Sequence, residues 1–219
     1  MNGSIFFYSL NGNGSLEWIG SMMIWLLLLL SVANVVLIII GANENARRSQ
    51  LPDRAAIDMS ELISAGRYQD AIKRAAAGED DFSRILSRGL EHAPDGVEAM
   101  THAAEQTADD LLAARLRGLE RLNVLGQVAP MIGLFGTVYG MIVAFQTIAS
   151  TGGAADPAML AGGIGTALVT TFWGLLIAIP ATSAYALLRN RTIAISDQAL
   201  AQVDDLLAMF RPKQDAGNK

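Results

Sequence analysis

The stretch GGIGTALVTTFWGLLIAIPATSAY (residues 162–185) decides the fold. It carries no charge, yet it keeps Thr166, Thr170 and Thr171 in its first half. It lies in a third apolar segment, residues 160–188, and a bilayer crossing needs about 20 mostly apolar residues. Two further segments qualify. Residues 18–41 contain the run WLLLLLSVANVVLIII (25–40), and residues 125–149 read LGQVAPMIGLFGTVYGMIVAFQTIA. The fold class that follows is an all-α membrane protein with three transmembrane helices. The first segment reads as a retained signal anchor: it has no positive n-region, its apolar run is long, and Arg47 and Arg48 follow it.

Composition agrees and excludes several functions. A hydrophobic share of 52% over 219 residues is too high for an ordinary soluble domain, and the apolar residues come in blocks. There is no cysteine, so disulfides and thiolate metal sites are out of reach. A net charge of −5 argues against nucleic acid as a partner. His92 and His102 lie in a polar segment without metal-ligand spacing. No Gly-rich loop precedes a Lys, so ATP-driven transport is not indicated. No nucleophile–base pair appears either. The reading is a non-enzyme without cofactor or metal.

Orientation follows from the basic residues. All 16 Lys and Arg fall in two blocks, Arg47 to Arg121 and Arg189 to Lys219. Positive residues mark the cytoplasmic side. The N-terminus and the 150–159 loop are then external, and the C-terminus is cytoplasmic. Residues 1–17 read as a short external segment with Asn-Gly steps. Residues 42–124 form a cytoplasmic helical insertion. Within it, residues 59–78 (MSELISAGRYQDAIKRAAAG) predict two short helices parted by Gly66. From Pro94 onward an apolar face through Val97, Met100, Ala104, Leu111 and Leu119 predicts one long helix that runs into the second span. A similar face through Ile195, Ala199, Val203, Leu206 and Phe210 extends the third span over 189–219, with Arg211-Pro212 as its stop.

Small residues mark where the spans pack. The second span has Gly133, Gly136 and Gly140; the third has Gly162, Thr166, Thr170, Gly174, Ala178 and Thr182 at steps of four. Such residues let helix backbones approach closely. Pro130 and Pro180 predict bends near the cytoplasmic side, where a neighbour can meet the freed carbonyl. Asn34 either bonds across to another helix or bonds its own backbone, and the second is the favoured reading. Thr137 and Thr171 sit at comparable depth and suggest a narrow polar seam. No Asp, Glu, Lys, Arg or His occurs in 157–188 or in 122–155. Ion paths in membranes ordinarily use one. Either the chain conducts nothing, or another subunit brings the carboxylate.

APMIGLFGTVYGMIVAF (129–145) followed by GGIGTALVTTFWGLLIAIPA (162–181) resembles the ExbB/TolQ/MotA proton-channel family, closest to its ExbB and TolQ branch. The resemblance implies a stator-like subunit of the bacterial inner membrane. Such subunits assemble as a homo-oligomeric ring, a pentamer, around a single-span partner similar to ExbD or TolR, whose membrane helix carries an aspartate. A periplasm-spanning protein like TonB or TolA would receive the work. The family's hydroxyls fall on Thr137 and Thr171; Thr166 and Thr170 are further candidates for the ion pathway. Where some members have glutamate in a GI-x-E-AL string, this chain has Thr166 in GIGTAL. The ion, H⁺ or Na⁺, stays open. The competing reading is a non-conducting structural membrane scaffold.

Overall fold

The computed structural model describes residues 18–52, 54–154 and 157–210. The expected external segment 1–17 and the Arg211-Pro212 stop lie outside them. Every regular element among the described residues is helical. They are α1 (Trp18–Glu44), α2 (Arg47–Gln50), α3 (Ala55–Ser64), α4 (Tyr68–Ala76), α5 (Asp81–Glu91), a 3₁₀ turn (Ala93–Asp95), α6 (Val97–Ser150) and α7 (Pro157–Ala208). The predicted long helices are present: α6 has 54 residues and α7 has 52. A rise of about 1.5 Å per residue makes each far longer than the roughly 30 Å hydrocarbon core of a bilayer. Three helices are long and apolar enough to cross a membrane: α1, α6 and α7.

Helix ends follow from local chemistry. Gly66, at φ 72°, closes α3: its N–H meets the Ile63 carbonyl, and the Arg67 N–H meets Leu62. Gly152 and Gly153, at φ 61° and 91°, close α6 in the same way, bonding Ala149 and Ile148. Both are Schellman caps, which need a left-handed residue that glycine supplies without strain. Pro157 opens α7 at a position where its missing N–H costs nothing. At α5, Asp80 accepts from the Ser83 backbone N–H at 2.9 Å. That is an N-cap bond.

The chain divides into two compact units. The first holds residues 18–40 and 119–187 of those described, hence α1 to Ile40 and the apolar parts of α6 and α7. The buried share of the most apolar stretch rises from 22% in α1 and 28% in α6 to 44% in α7. The α7 helix is therefore the centre of this unit. Leu27, Leu125, Ala129 and Ile177 form its core, with Leu30, Leu37, Ile132 and Trp173 against it. Leu29, Val32, Leu134, Phe135, Leu168 and Ile179 are exposed, each above 60%. Such an apolar exterior suits lipid or another copy, not water.

The second unit holds residues 41–118 and 188–210 of those described. Its core is of the soluble kind: Phe82, Ile85, Leu86, Met100, Ala104, Val203 and Leu207, all at most 1% exposed. Gly89 lets α5 lie close: a Cβ there would be 3.1 Å from Leu207 Cδ1 and 3.2 Å from the Met100 carbonyl oxygen. Beyond the two expected short helices, this unit gains α2 and α5.

Candidate functional site: the seam between α6 and α7

Within the first unit, α6 and α7 meet backbone to backbone. A Cβ on Gly133 would lie 2.9 Å from the Thr170 carbonyl oxygen and 3.1 Å from Thr171 Cα. On Gly136 it would strike the Thr170 side chain at 2.3 Å. On Gly140 it would meet the Gly163 carbonyl at 2.8 Å, and on Gly174 the Ala129 carbonyl at 2.8 Å and Pro130 Cα at 3.4 Å. Real side chains do not tolerate these distances, so each of the four positions depends on glycine. Gly126 adds a fifth contact, against Thr182 and Ala181.

The face that α7 presents follows the helical period rather than steps of four. Its fully buried members run Ala167, Thr170, Ile177 and Ala181, at 0–3% exposure, with Gly163 and Gly174 in the same row. A helix turns once per 3.6 residues, so a strict step of four drifts off the contact line. That drift leaves Thr182 exposed at one end, while Thr166 and Ala178 stay buried in the middle.

The four threonines separate into two environments. Thr166 and Thr170 are 4% and 0% exposed, packed in the seam. Thr166 donates to the Gly162 carbonyl at 3.2 Å. Thr170 lies 2.9 Å from the Ala167 carbonyl and 3.3 Å from that of Gly133, and its one proton serves either. Thr171 and Thr137 are only half-buried. Thr171 Oγ1 donates across the seam to the Gly133 carbonyl at 3.3 Å. Thr137 Oγ1 donates to the Leu134 carbonyl of its own helix at 2.7 Å. Thr171 is thus level with Gly133, and Thr137 sits one turn farther along α6, about 6 Å at the helical rise. With its proton committed to a carbonyl, each hydroxyl offers oxygen lone pairs outward. Such oxygens can ligate a desolvated cation or accept from water, but cannot hold a charge themselves.

No Asp, Glu, Lys, Arg or His interrupts residues 157–188. Among the described residues of the first unit the carboxylate is that of Glu120, which stands at the unit's edge and accepts from the Tyr185 hydroxyl at 3.3 Å. Among the described residues no cluster of His, Cys, Asp or Glu is placed to hold a metal ion.

Asn34 differs from its favoured reading. It is 3% exposed, and its Nδ2 donates across to the Ile177 carbonyl of α7 at 3.1 Å. Close packing of α1 on α7 brings that carbonyl within reach.

Arg115, in the second unit, carries a network that no sequence pattern announced. It pairs with Asp81, donates to the Glu44 carbonyl, and reaches the Ser49 carbonyl and hydroxyl at 3.0 Å each. Its side chain is 16% exposed and that of Asp81 is 11%. The carbonyl of Glu44 is one of those that α1 leaves without a helical partner, and a cation at a helix C-terminus is favourable. The heptad Gly126, Gly133, Gly140 was a signal in plain view for the seam; Arg115 had none beyond its position on a mostly apolar face.

A family model described as the MotA/TolQ/ExbB proton channel family matches residues 78–199. "Biopolymer transport protein ExbB" of Neisseria meningitidis serogroup A is 28% identical over 205 residues, 87% of this chain and 91% of that protein. "Biopolymer transport protein exbB1" of Vibrio cholerae serotype O1 is 42% identical over 90 residues, covering 40% of each chain. "Biopolymer transport protein ExbB" of Salmonella typhimurium is 32% identical over 136 residues, 62% of this chain and 55% of that protein. The chain thus spans about half or less of the length of the last two relatives. The seam, its threonines and α5 through most of α7 all lie within or beside the matched region, and the chain belongs to the MotA/TolQ/ExbB proton channel family.

Proposed function

We propose that this chain is the ion-conducting ring subunit of an energy-transducing complex in the bacterial inner membrane. It couples ion-motive force to an envelope process such as outer-membrane transport. The spans are 18–41, 125–149 and 160–188, with the N-terminus and the 150–159 loop outside. Residues 42–124 and 189–219 are cytoplasmic. Five copies surround a single-span partner of the ExbD or TolR kind, and the work passes to a periplasm-spanning protein like TonB or TolA. The observation that carries this reading is the pair of half-buried hydroxyls, Thr137 and Thr171, in an apolar unit without its own midspan carboxylate. A path lined this way needs a charge-bearing group from a second protein. Moving one charge through 100 mV releases about 2.3 kcal/mol, and a chain that cannot leak alone conserves that release for work.

The test is ion flux in proteoliposomes, with and without a single-span Asp-bearing partner. Flux arises only with the partner, and Thr171→Val cuts it about tenfold or more while the complex still assembles. Equal flux from the chain alone would sink the reading. A Thr171→Val complex that conducts normally points instead to the scaffold. Replacing Na⁺ by K⁺ at fixed pH identifies the ion.

A further inference from the structure

Pro180 breaks the backbone ladder of α7, since it has no N–H to return to the Leu176 carbonyl. The next carbonyl, that of Ile177, receives the Asn34 amide from α1. Across the seam, Pro130 withholds the matching N–H from the carbonyl of Gly126, and Gly126 packs on Ala181 and Thr182, just past Pro180. The two weakened stretches therefore adjoin.

Asn34 is an odd choice for its surroundings. It stands in a run of Leu, Val and Ile, it is nearly fully buried, and its Oδ1 has no hydrogen-bond partner. A carbonyl only accepts, so the nitrogen must face Ile177 and the oxygen must face away. An unpaired buried acceptor is costly, and Leu, close in size, would avoid that cost. What the polar group does is fix one carbonyl on the threonine side of a helix break, two turns from Thr170.

We propose that Asn34 is a positioning residue: its amide latches the threonine-bearing half of α7 to α1 beside the Pro180 break and keeps Thr171 in register with Gly133. The latch itself is a property of the three packed helices. Its consequence for ion flux rests on the proposed function. When the Asn34 bond opens, α7 bends at Pro180 and the Thr171 hydroxyl leaves the Gly133 carbonyl.

The test uses the full chain in lipid nanodiscs, with Asn34→Leu, Pro180→Ala and the double variant. Hydrogen exchange is followed over 172–184 and over the seam at 129–140. Asn34→Leu raises exchange over 172–184 about five- to tenfold, with a clearly smaller rise over 129–140 where Thr171 leaves Gly133, as loss of one interhelical bond in lipid implies. Pro180→Ala restores the ladder and brings the double variant back to within about twofold of the parent. The latch is overturned if Asn34→Leu leaves 172–184 unchanged, or if Pro180→Ala rescues nothing. It is equally overturned if exchange rises uniformly, the mark of a packing residue. Ion flux with the partner is read on the same samples. A parent without flux refutes the proposed function and leaves the exchange result standing. A parent with flux, and an Asn34→Leu variant that assembles and conducts equally, refutes the positioning role alone.

Discussion

The two units of this chain hold their helices together by opposite means. In the second unit, large side chains fill a shared interior: Phe82 and Leu86 are fully buried, with Met100 beside them. In the first, α6 and α7 touch through what their residues lack, at Gly133, Gly136, Gly140 and Gly174. The difference follows from the solvent each unit suits. Water expels apolar area, at roughly 25 cal/mol per Å² buried. Lipid does not, so contact there must come from close backbone approach and from hydrogen bonds such as Thr171 to Gly133. Truncation should therefore hurt one unit, and enlargement the other.

Four substitutions press on that contrast, each read as the change in unfolding stability in mild detergent. Phe82→Ala opens a cavity in the second unit and costs about 4 kcal/mol. Gly133→Leu drives a side chain into the Thr170 carbonyl and Thr171 Cα and costs about 3 kcal/mol, with loss of helix pairing. If it were neutral, the seam would not be a backbone contact. Arg115→Ala leaves Asp81 largely buried without its partner, at about 2 kcal/mol, less than a fully buried pair because both groups keep some exposure. Its effect should appear as faster hydrogen exchange over 41–52. Asp80→Ala removes the cap of α5 and costs about 1 kcal/mol, reported by exchange at Ser83. A larger loss from the cap than from the Phe82 cavity would contradict the picture of a side-chain core.

Much of this was readable from the residues. The three spans, the two long helices and the Gly66 break all follow from hydropathy, period and turn chemistry. Those are local properties, and local properties survive into the fold. The seam was readable in part. A ridge at steps of four found Thr166, Thr170 and Gly174 but passed over Gly163 and Ala181, because the true period is 3.6. The α5 helix obeys the same local rules: Phe82, Ile85, Leu86 and Leu90 recur at steps of three and four, opposite Arg84, Arg88 and Glu91, behind the Asp80 cap. Asn34 and Arg115 were beyond reach for a different reason. Each bonds a backbone carbonyl far away in sequence, Asn34 to Ile177 and Arg115 to Glu44. A carbonyl is the same at every residue, so composition and motif carry no trace of which one is met.

The double-glycine cap at Gly152 and Gly153 makes the end of α6 a hard stop. A helix that frays can lengthen or shorten by a turn to suit the sheet it crosses; one closed by two left-handed residues cannot. The stretch from that cap back to Arg121, the last charged residue before the span, then has a fixed length and behaves as a ruler. In a thicker bilayer this chain must stand more upright, and in a thinner one it must tilt. Changes in lipid thickness would then reach the α6–α7 pair as changes of angle.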